Sequence, residues 1–246
     1  IINNTLIKDN FNNMANLDII FIHGWLFDSR IWYGLDEEFK GFKSVELIDL
    51  PGYGINKSSK VNHKDFFKNL FTSINNETIV IAWSYGAQLA LYTYMKYLNL
   101  DIKLVLINAN LDMYSSNNTE LNINNINKLI SNIKLDKNNT IKSFIYECVK
   151  KSKHSKHEFK EMVNKFKMED FPQTENLIDN LNEMKLIPPF KNISTTLNNV
   201  LCINTEKDQF INRTSNILQE ITIKDLGHIP FISGNKIIYK LIMDFI

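Results

Sequence analysis

A serine, a histidine and a carboxylate stand in this chain where together they could carry out nucleophilic acyl transfer. Ser84 lies in Ile81-Ala82-Trp83-Ser84-Tyr85-Gly86-Ala87, between a short apolar run and a helical pattern. A serine at a sharp strand-to-helix turn holds its hydroxyl clear of the backbone, and small residues two positions to either side let the chain turn that tightly. Those residues are Ala82 and Gly86, with alanine where glycine is usual. By motif alone the segment is equally an ordinary serine capping a helix; the strand before it and the helix after it favour a nucleophile. The first turn of such a helix aims free N–H groups at nearby charge, so Tyr85 N–H is expected to donate to an oxyanion.

A serine nucleophile needs a base, and the chain offers five histidines. His154 and His157 fall in a lysine-rich helical stretch and read as solvated; His63 precedes a helix and reads as a surface residue or cap. His228, in Asp225-Leu226-Gly227-His228-Ile229-Pro230-Phe231, follows the last expected strand and precedes the last helix. That places it on a loop where a base is required. The orienting acid is expected between serine and histidine in chain order. Asn204–Phe210 offers Glu206 and Asp208, and Asp208 is preferred because it lies deeper in the loop, just ahead of the next helix. A second oxyanion donor is expected after the first strand, in Ile22-His23-Gly24-Trp25. There Gly24 lets the backbone turn, Trp25 N–H faces the developing charge, and His23 braces the loop. The Trp25 indole then lines the acyl pocket, with Tyr85 also in contact with substrate.

These residues must be held by a regular scaffold, and the apolar pattern supplies one. Strands are expected at Leu17–Ile22, Val45–Leu50, Thr78–Trp83, Lys103–Asn108, Asn199–Asn204 and Glu220–Asp225. The third and fourth are apolar almost throughout and rich in β-branched residues, the mark of strands buried on both faces of a parallel sheet. Helical patterns at Ser29–Phe39, Lys64–Ile74, Gly86–Leu98 and Asn235–Phe245 alternate with them. The fold class is therefore α/β, a doubly wound, mostly parallel sheet. From Asp112 to Pro188 the rhythm breaks, with amphipathic helical patterns at Ile141–Val149 and Glu158–Phe166 and an Asn-rich stretch, Ser115–Asn127, that reads as a solvated loop. Residues 1–111 and 189–246 are read as the core and 112–188 as a helical lid over the carboxyl ends of the strands, where open α/β sheets bind ligands. The alternative is a helical elaboration away from substrate.

Bulk properties narrow the function. With 246 residues, 44% of them hydrophobic, the chain can bury a sizeable core. A formal net charge of +1 gives no global reason to expect nucleic acid. Cys148 and Cys202 lie far apart without metal-ligand spacing, so free thiols are expected and neither a metal nor a cofactor is. Ile1–Thr5 has no basic region followed by an apolar run, and no stretch approaches the ~20 apolar residues of a membrane span. The expectation is a cytoplasmic monomer that engages neither membrane nor nucleic acid.

Taken together, His23-Gly24-Trp25, Asp49-Leu50-Pro51-Gly52-Tyr53-Gly54, Ala82-Trp83-Ser84-Tyr85-Gly86, Asp208 and Gly227-His228-Ile229-Pro230-Phe231-Ile232-Ser233 occur in the order of the α/β-hydrolase superfamily. More narrowly, the chain resembles the pimeloyl-acyl-carrier-protein methyl ester esterases of biotin synthesis, from about Asp18 to Ile246, strongly at the loops and weakly in the lid. That resemblance implies a serine carboxylesterase whose acyl channel is lined by Trp25 and a lid phenylalanine, matched by Phe144. It also implies basic lid residues that receive an acidic acyl carrier protein. Between Lys142 and Lys167 there are eight lysines and three glutamates, and Lys142, Lys150, Lys151, Lys153 and Lys156 are the expected docking residues. Arginines are usual in the family at such positions, and lysine grips an anion less directionally. A solvated helix face is the plainer reading of the same lysines. Other readings remain: a small-molecule esterase or thioesterase, a lyase on the same fold (disfavoured by the presence of only Arg30 and Arg213), or a non-catalytic binder.

Overall fold

The structure is a computed structural model that describes residues 15–75, 77–97, 102–114, 121–190, 197–211 and 219–246. Its sheet comprises, among these residues, β1 (Asp18–Ile22), β2 (Ser44–Ile48), β3 (Thr78–Trp83), β4 (Lys103–Ile107), β5 (Val200–Thr205) and β6 (Gln219–Ile223). They run in the order β2-β1-β3-β4-β5-β6, and every neighbouring pair is parallel. Every residue of β3 and β5 is buried, whereas the edge strands β2 and β6 keep exposed positions. The β-branched runs thus sit in the middle of the sheet, where both faces are covered.

Expected and observed strands agree within two residues at each end, but one expected helix does not form. Ser29–Phe39 is two 3₁₀ turns, Ser29–Trp32 and Asp36–Phe39. The chain reverses between them at Gly34, whose φ is +108°. Both turns still bury the apolar residues that gave the helical pattern, Ile31, Trp32 and Phe39. The helix α1 (His63–Ser73) packs against the helix α2 (Ser84–Lys96), which packs on β3 and β4; α2 follows β3 without a linking residue.

Four helices fill the segment between β4 and β5: α3 (Ile123–Leu135), α4 (Lys137–Val149), α5 (Ser155–Lys165) and α6 (Thr174–Lys185). Part of the stretch read as a loop is therefore helical. Ile126, Ile130 and Ile133 recur at helical spacing and bury one face of α3, while Asn122 caps it by accepting from Asn125 N–H. Residues 115–120 lie outside the described set. The insertion leaves and rejoins the sheet at one point, where Phe190 N–H donates to Leu111 O at 3.0 Å. The last helix, α7 (Asn235–Phe245), buries Ile238 and Ile242.

The turn from β3 into α2 is strained, with Ser84 at φ +54°. It is also crowded. A Cβ on Gly86 would stand 2.2 Å from His23 O, and one on Gly24 would stand 2.9 Å from Ser84 Cβ. Only glycine lets the β1 loop and the start of α2 come this close. Gly86→Ala is accordingly expected to destabilise the protein by about 1–3 kcal/mol, measured as a lower urea midpoint at unchanged m-value.

Candidate active site

Ser84, Asp208 and His228 come from the carboxyl ends of β3, β5 and β6 and meet in one place. His228 Nδ1 lies 2.6 Å from Asp208 Oδ2, and His228 Nε2 lies 2.9 Å from Ser84 Oγ. With Nδ1–H donating to the carboxylate, Nε2 keeps a lone pair for the serine hydroxyl. That arrangement can raise the hydroxyl's nucleophilicity and hold the imidazolium that follows. All three residues are buried. Asp208 Oδ1 accepts from Phe210 N–H at 2.8 Å, which fixes the carboxylate plane. The alternative acid, Glu206, instead pairs with Lys207 at the surface, both 40% exposed.

His23 is fully buried and braces the loop as expected: its Nδ1 meets Gly24 O at 2.8 Å and its Nε2 accepts from Leu50 N–H at 3.0 Å. Burial lowers its pKa from 6.5 to about 4, so the ring is neutral through the neutral range. His63 corrects the expectation. It is neither exposed nor a cap; Asn62 caps α1, and His63 is buried between Pro51 O, 2.9 Å from Nε2, and the Tyr85 hydroxyl, 3.1 Å from Nδ1. The Tyr85 hydroxyl is thus engaged by His63 and by Glu183. His154 and His157 are exposed.

An aromatic series connects the triad to the insertion. The Trp25 and Phe144 ring centroids are 4.9 Å apart, those of Phe144 and Phe210 5.4 Å, and those of Phe210 and His228 4.9 Å. Phe144 and Phe210 floor a cavity of about 440 Å³ whose walls are α3 and α4. Polar groups rim it, among them Asn125, Lys128, Asn132, Asn139, Ser143 and Glu147. Phe144 thus stands beside Trp25. Of the expected docking lysines, Lys142, Lys151, Lys153 and Lys156 are exposed, whereas Lys150 is half-buried and paired with Glu147.

Several positioning groups had no individual sequence signal. Asn108, at φ +47° just past β4, is fully buried and bonds the loops of Asp208 and His228 together. Trp83 donates its indole N–H to His228 O at 2.8 Å. Gln209 donates to Glu147 O at 3.0 Å and to its carboxylate at 2.6 Å. Only the φ-tolerance of asparagine at a strand end could have drawn attention to Asn108. Both cysteines are buried free thiols with raised pKa, and burial keeps them protonated. Among the described residues no group of His, Cys, Asp and Glu is arranged to hold a metal, and no helix is long and apolar enough to cross a membrane.

Comparison with known proteins places this geometry in a family. The profile of the alpha/beta hydrolase family matches residues 19–234, and the chain belongs to that family. A pimeloyl-[acyl-carrier protein] methyl ester esterase from Wigglesworthia glossinidia brevipalpis is 25% identical over 248 residues, covering 94% of each chain. One from Legionella pneumophila (strain Lens) is 33% identical over 70 residues, 28% of each chain. Among solved structures, an esterase from Exiguobacterium antarcticum superposes with a TM-score of 0.73 at 14% identity, covering 94% of this chain and 92% of that one. A thermophilic esterase from Thermogutta terrifontis gives 0.70 at 16% identity, with 94% and 89% covered. These two likenesses establish the fold.

The depressed His23 value makes a stability prediction. The unfolded chain takes up a proton near pH 6.5 and the folded chain only near 4, so unfolding binds a proton between them. Stability is then lost as pH falls through that window and is insensitive to His23 above it. Urea melts should show the wild type losing about 3 kcal/mol more than His23→Gln between pH 6.5 and 4.

Proposed function

We propose that this chain is a serine esterase that cleaves the methyl ester of an acyl chain carried on an acidic carrier protein, with pimeloyl-acyl carrier protein methyl ester as its substrate. The hydrogen-bonded series Asp208–His228–Ser84 carries the chemistry. The substrate assignment is supported by the full-length likeness to the Wigglesworthia esterase and by the exposed lysines of α4, α5 and the turn between them.

The reaction follows from the positions. The acyl chain lies along Trp25, Phe144 and Phe210 beneath the helical insertion, which acts as a lid, with its ester carbonyl at Ser84. His228 Nε2 takes the hydroxyl proton as Oγ attacks the carbonyl carbon. Trp25 N–H and Tyr85 N–H donate to the oxyanion, and Asp208 holds the imidazolium. The tetrahedral intermediate collapses, the ester C–O bond breaks, and His228 returns the proton to methoxide, which leaves as methanol. Water then attacks the acyl-enzyme with His228 again as base, freeing the carboxylic acid and the serine. No other group need enter the proton balance.

The pairing of Lys150 with Glu147 favours one competing reading, an esterase for small free esters, because it removes one docking charge from the lid. Charge reversal distinguishes the two. Lys142→Glu, Lys151→Glu and Lys153→Glu combined should raise KM for the carrier-linked ester about tenfold and leave kcat/KM for p-nitrophenyl acetate unchanged; equal activity on both substrates would favour the small-ester enzyme. Ser84→Ala should lower kcat by about 10⁶-fold and abolish labelling by a fluorophosphonate. Retained turnover would overturn the mechanism itself.

A further inference from the structure

The two residues proposed to donate to the oxyanion, Trp25 and Tyr85, leave the sheet on different loops, yet their side chains end on the same helix. Trp25 Nε1–H donates to Leu177 O at 3.0 Å, and the Tyr85 hydroxyl donates to Glu183 Oε2 at 3.0 Å. Leu177 and Glu183 both belong to α6, the last helix of the insertion. Between them Asn180 Oδ1 accepts from the Tyr53 hydroxyl at 2.8 Å. Residues 177, 180 and 183 are spaced by three along α6, so the bonds stitch one side of the helix to the core. Leu177, Asn180, Leu181 and Met184 are buried there, which seats the helix by apolar contact as well.

We propose that α6 positions the oxyanion hole, with Glu183 and His63 acting as positioning residues through Tyr85. The donor N–H groups belong to residues whose side-chain ends are held by the insertion, so seating α6 restrains both donors together. His63 supplies the core-side hold. Its Nε2–H is committed to Pro51 O, which leaves Nδ1 as an acceptor facing Tyr85 Oη at 3.1 Å. One hydroxyl proton therefore has two acceptors, His63 on the core and Glu183 on α6, whose facing atoms are 3.5 Å apart. Tyr85 is buried throughout; without Glu183 its hydroxyl is left to His63 alone, which frees it from α6 and lets the first turn of α2 settle toward the core. Such a displacement need not be large, since a misplacement of about 1 Å can cost 10²-fold in rate.

This inference rests on the acyl-transfer reading of Ser84, and the experiment separates the two. Tyr85→Phe and Glu183→Leu should each lower kcat for p-nitrophenyl acetate about tenfold at a KM within about twofold of wild type, and the double variant should be no slower than either single one. Glu183→Gln, whose amide oxygen still accepts from the Tyr85 hydroxyl, should restore at least about half of the wild-type rate. An aryl trifluoromethyl ketone, which forms an oxyanion hemiketal on the serine, should lose affinity in proportion to the loss in kcat across the series. Unchanged kcat in Tyr85→Phe and Glu183→Leu, additive losses, or inhibitor affinity independent of kcat would each overturn the positioning role while Ser84→Ala still abolished turnover. Glu183 is 23% exposed at the end of α6, so its replacement leaves the core packing in place and keeps the comparison readable.

Discussion

The serine, the acid and the base leave three different strands, and their meeting depends on one buried amide. Asn108 Oδ1 accepts from Thr205 N–H at 2.9 Å, while its Nδ2–H₂ donates to Thr205 Oγ1 at 3.0 Å and to His228 O at 3.1 Å. Thr205 in turn donates its hydroxyl to Gly227 O at 2.8 Å. The end of β5, which begins the Asp208 loop, is thereby tied to the loop of His228 through a side chain from β4. Asn108 is fully buried, and its loss would remove these hydrogen bonds at about 0.5–1.5 kcal/mol apiece. The left-handed backbone at Asn108 is the price of putting that amide where three strands end.

The histidine is gripped from the other side by the helical insertion. An α-helix leaves its last carbonyls without internal partners, and α4 ends directly beside the catalytic loops. Lys150 N–H takes Tyr146 O, Gln209 Nε2 takes Glu147 O, His228 N–H takes Cys148 O, and Ser152 N–H takes Val149 O. Two of the four acceptors at this helix end are therefore satisfied by residues adjoining or belonging to the acid and the base. Gly227 fits against Cys148 O so closely that a Cβ there would approach it to 2.8 Å. The negative end of the α4 dipole consequently lies next to the group that becomes cationic when it accepts the serine proton, an effect of about 0.3–1 kcal/mol in its favour.

What the sequence disclosed follows from where local patterns and long-range contacts each dominate. β3, β4 and β5 were legible because strands buried on both faces are apolar throughout, and α2 because its turn residues are small and flank a serine. The place of His228 on the loop after the last strand, with the chain order serine, acid, histidine, was enough to choose it over four other histidines. Asp208 over Glu206 was a choice by loop depth, and burial is what separates them: one carboxylate meets the imidazole, the other a surface lysine. His63 was misread because its neighbours in sequence are polar, whereas its partners, Pro51, Tyr85 and Glu183, come from other elements. Ser29–Phe39 was misread because a helical apolar pattern survives when two short turns bury the same residues. α3 was hidden by asparagine, a poor helix former whose cost here is offset by the burial of Ile126, Ile130 and Ile133.

The polar grip and the aromatic series have complementary effects on the same few atoms. The hydrogen bonds from Asn108, Trp83 and Cys148 set where His228 can stand, and they involve its backbone, so they leave both ring nitrogens for Asp208 and Ser84. Phe210 and Trp83 cover the imidazole at centroid distances of 4.9 and 5.2 Å. Excluding water there strengthens the bond to Asp208, because the attraction between a carboxylate and an imidazolium rises as the surrounding dielectric falls. Phe144 stacks on Phe210, and Phe144 is carried by α4. The same helix that ends on the backbone of His228 thus also carries the ring that packs on Phe210, so a shift of α4 would alter both the aim and the environment of the base at once.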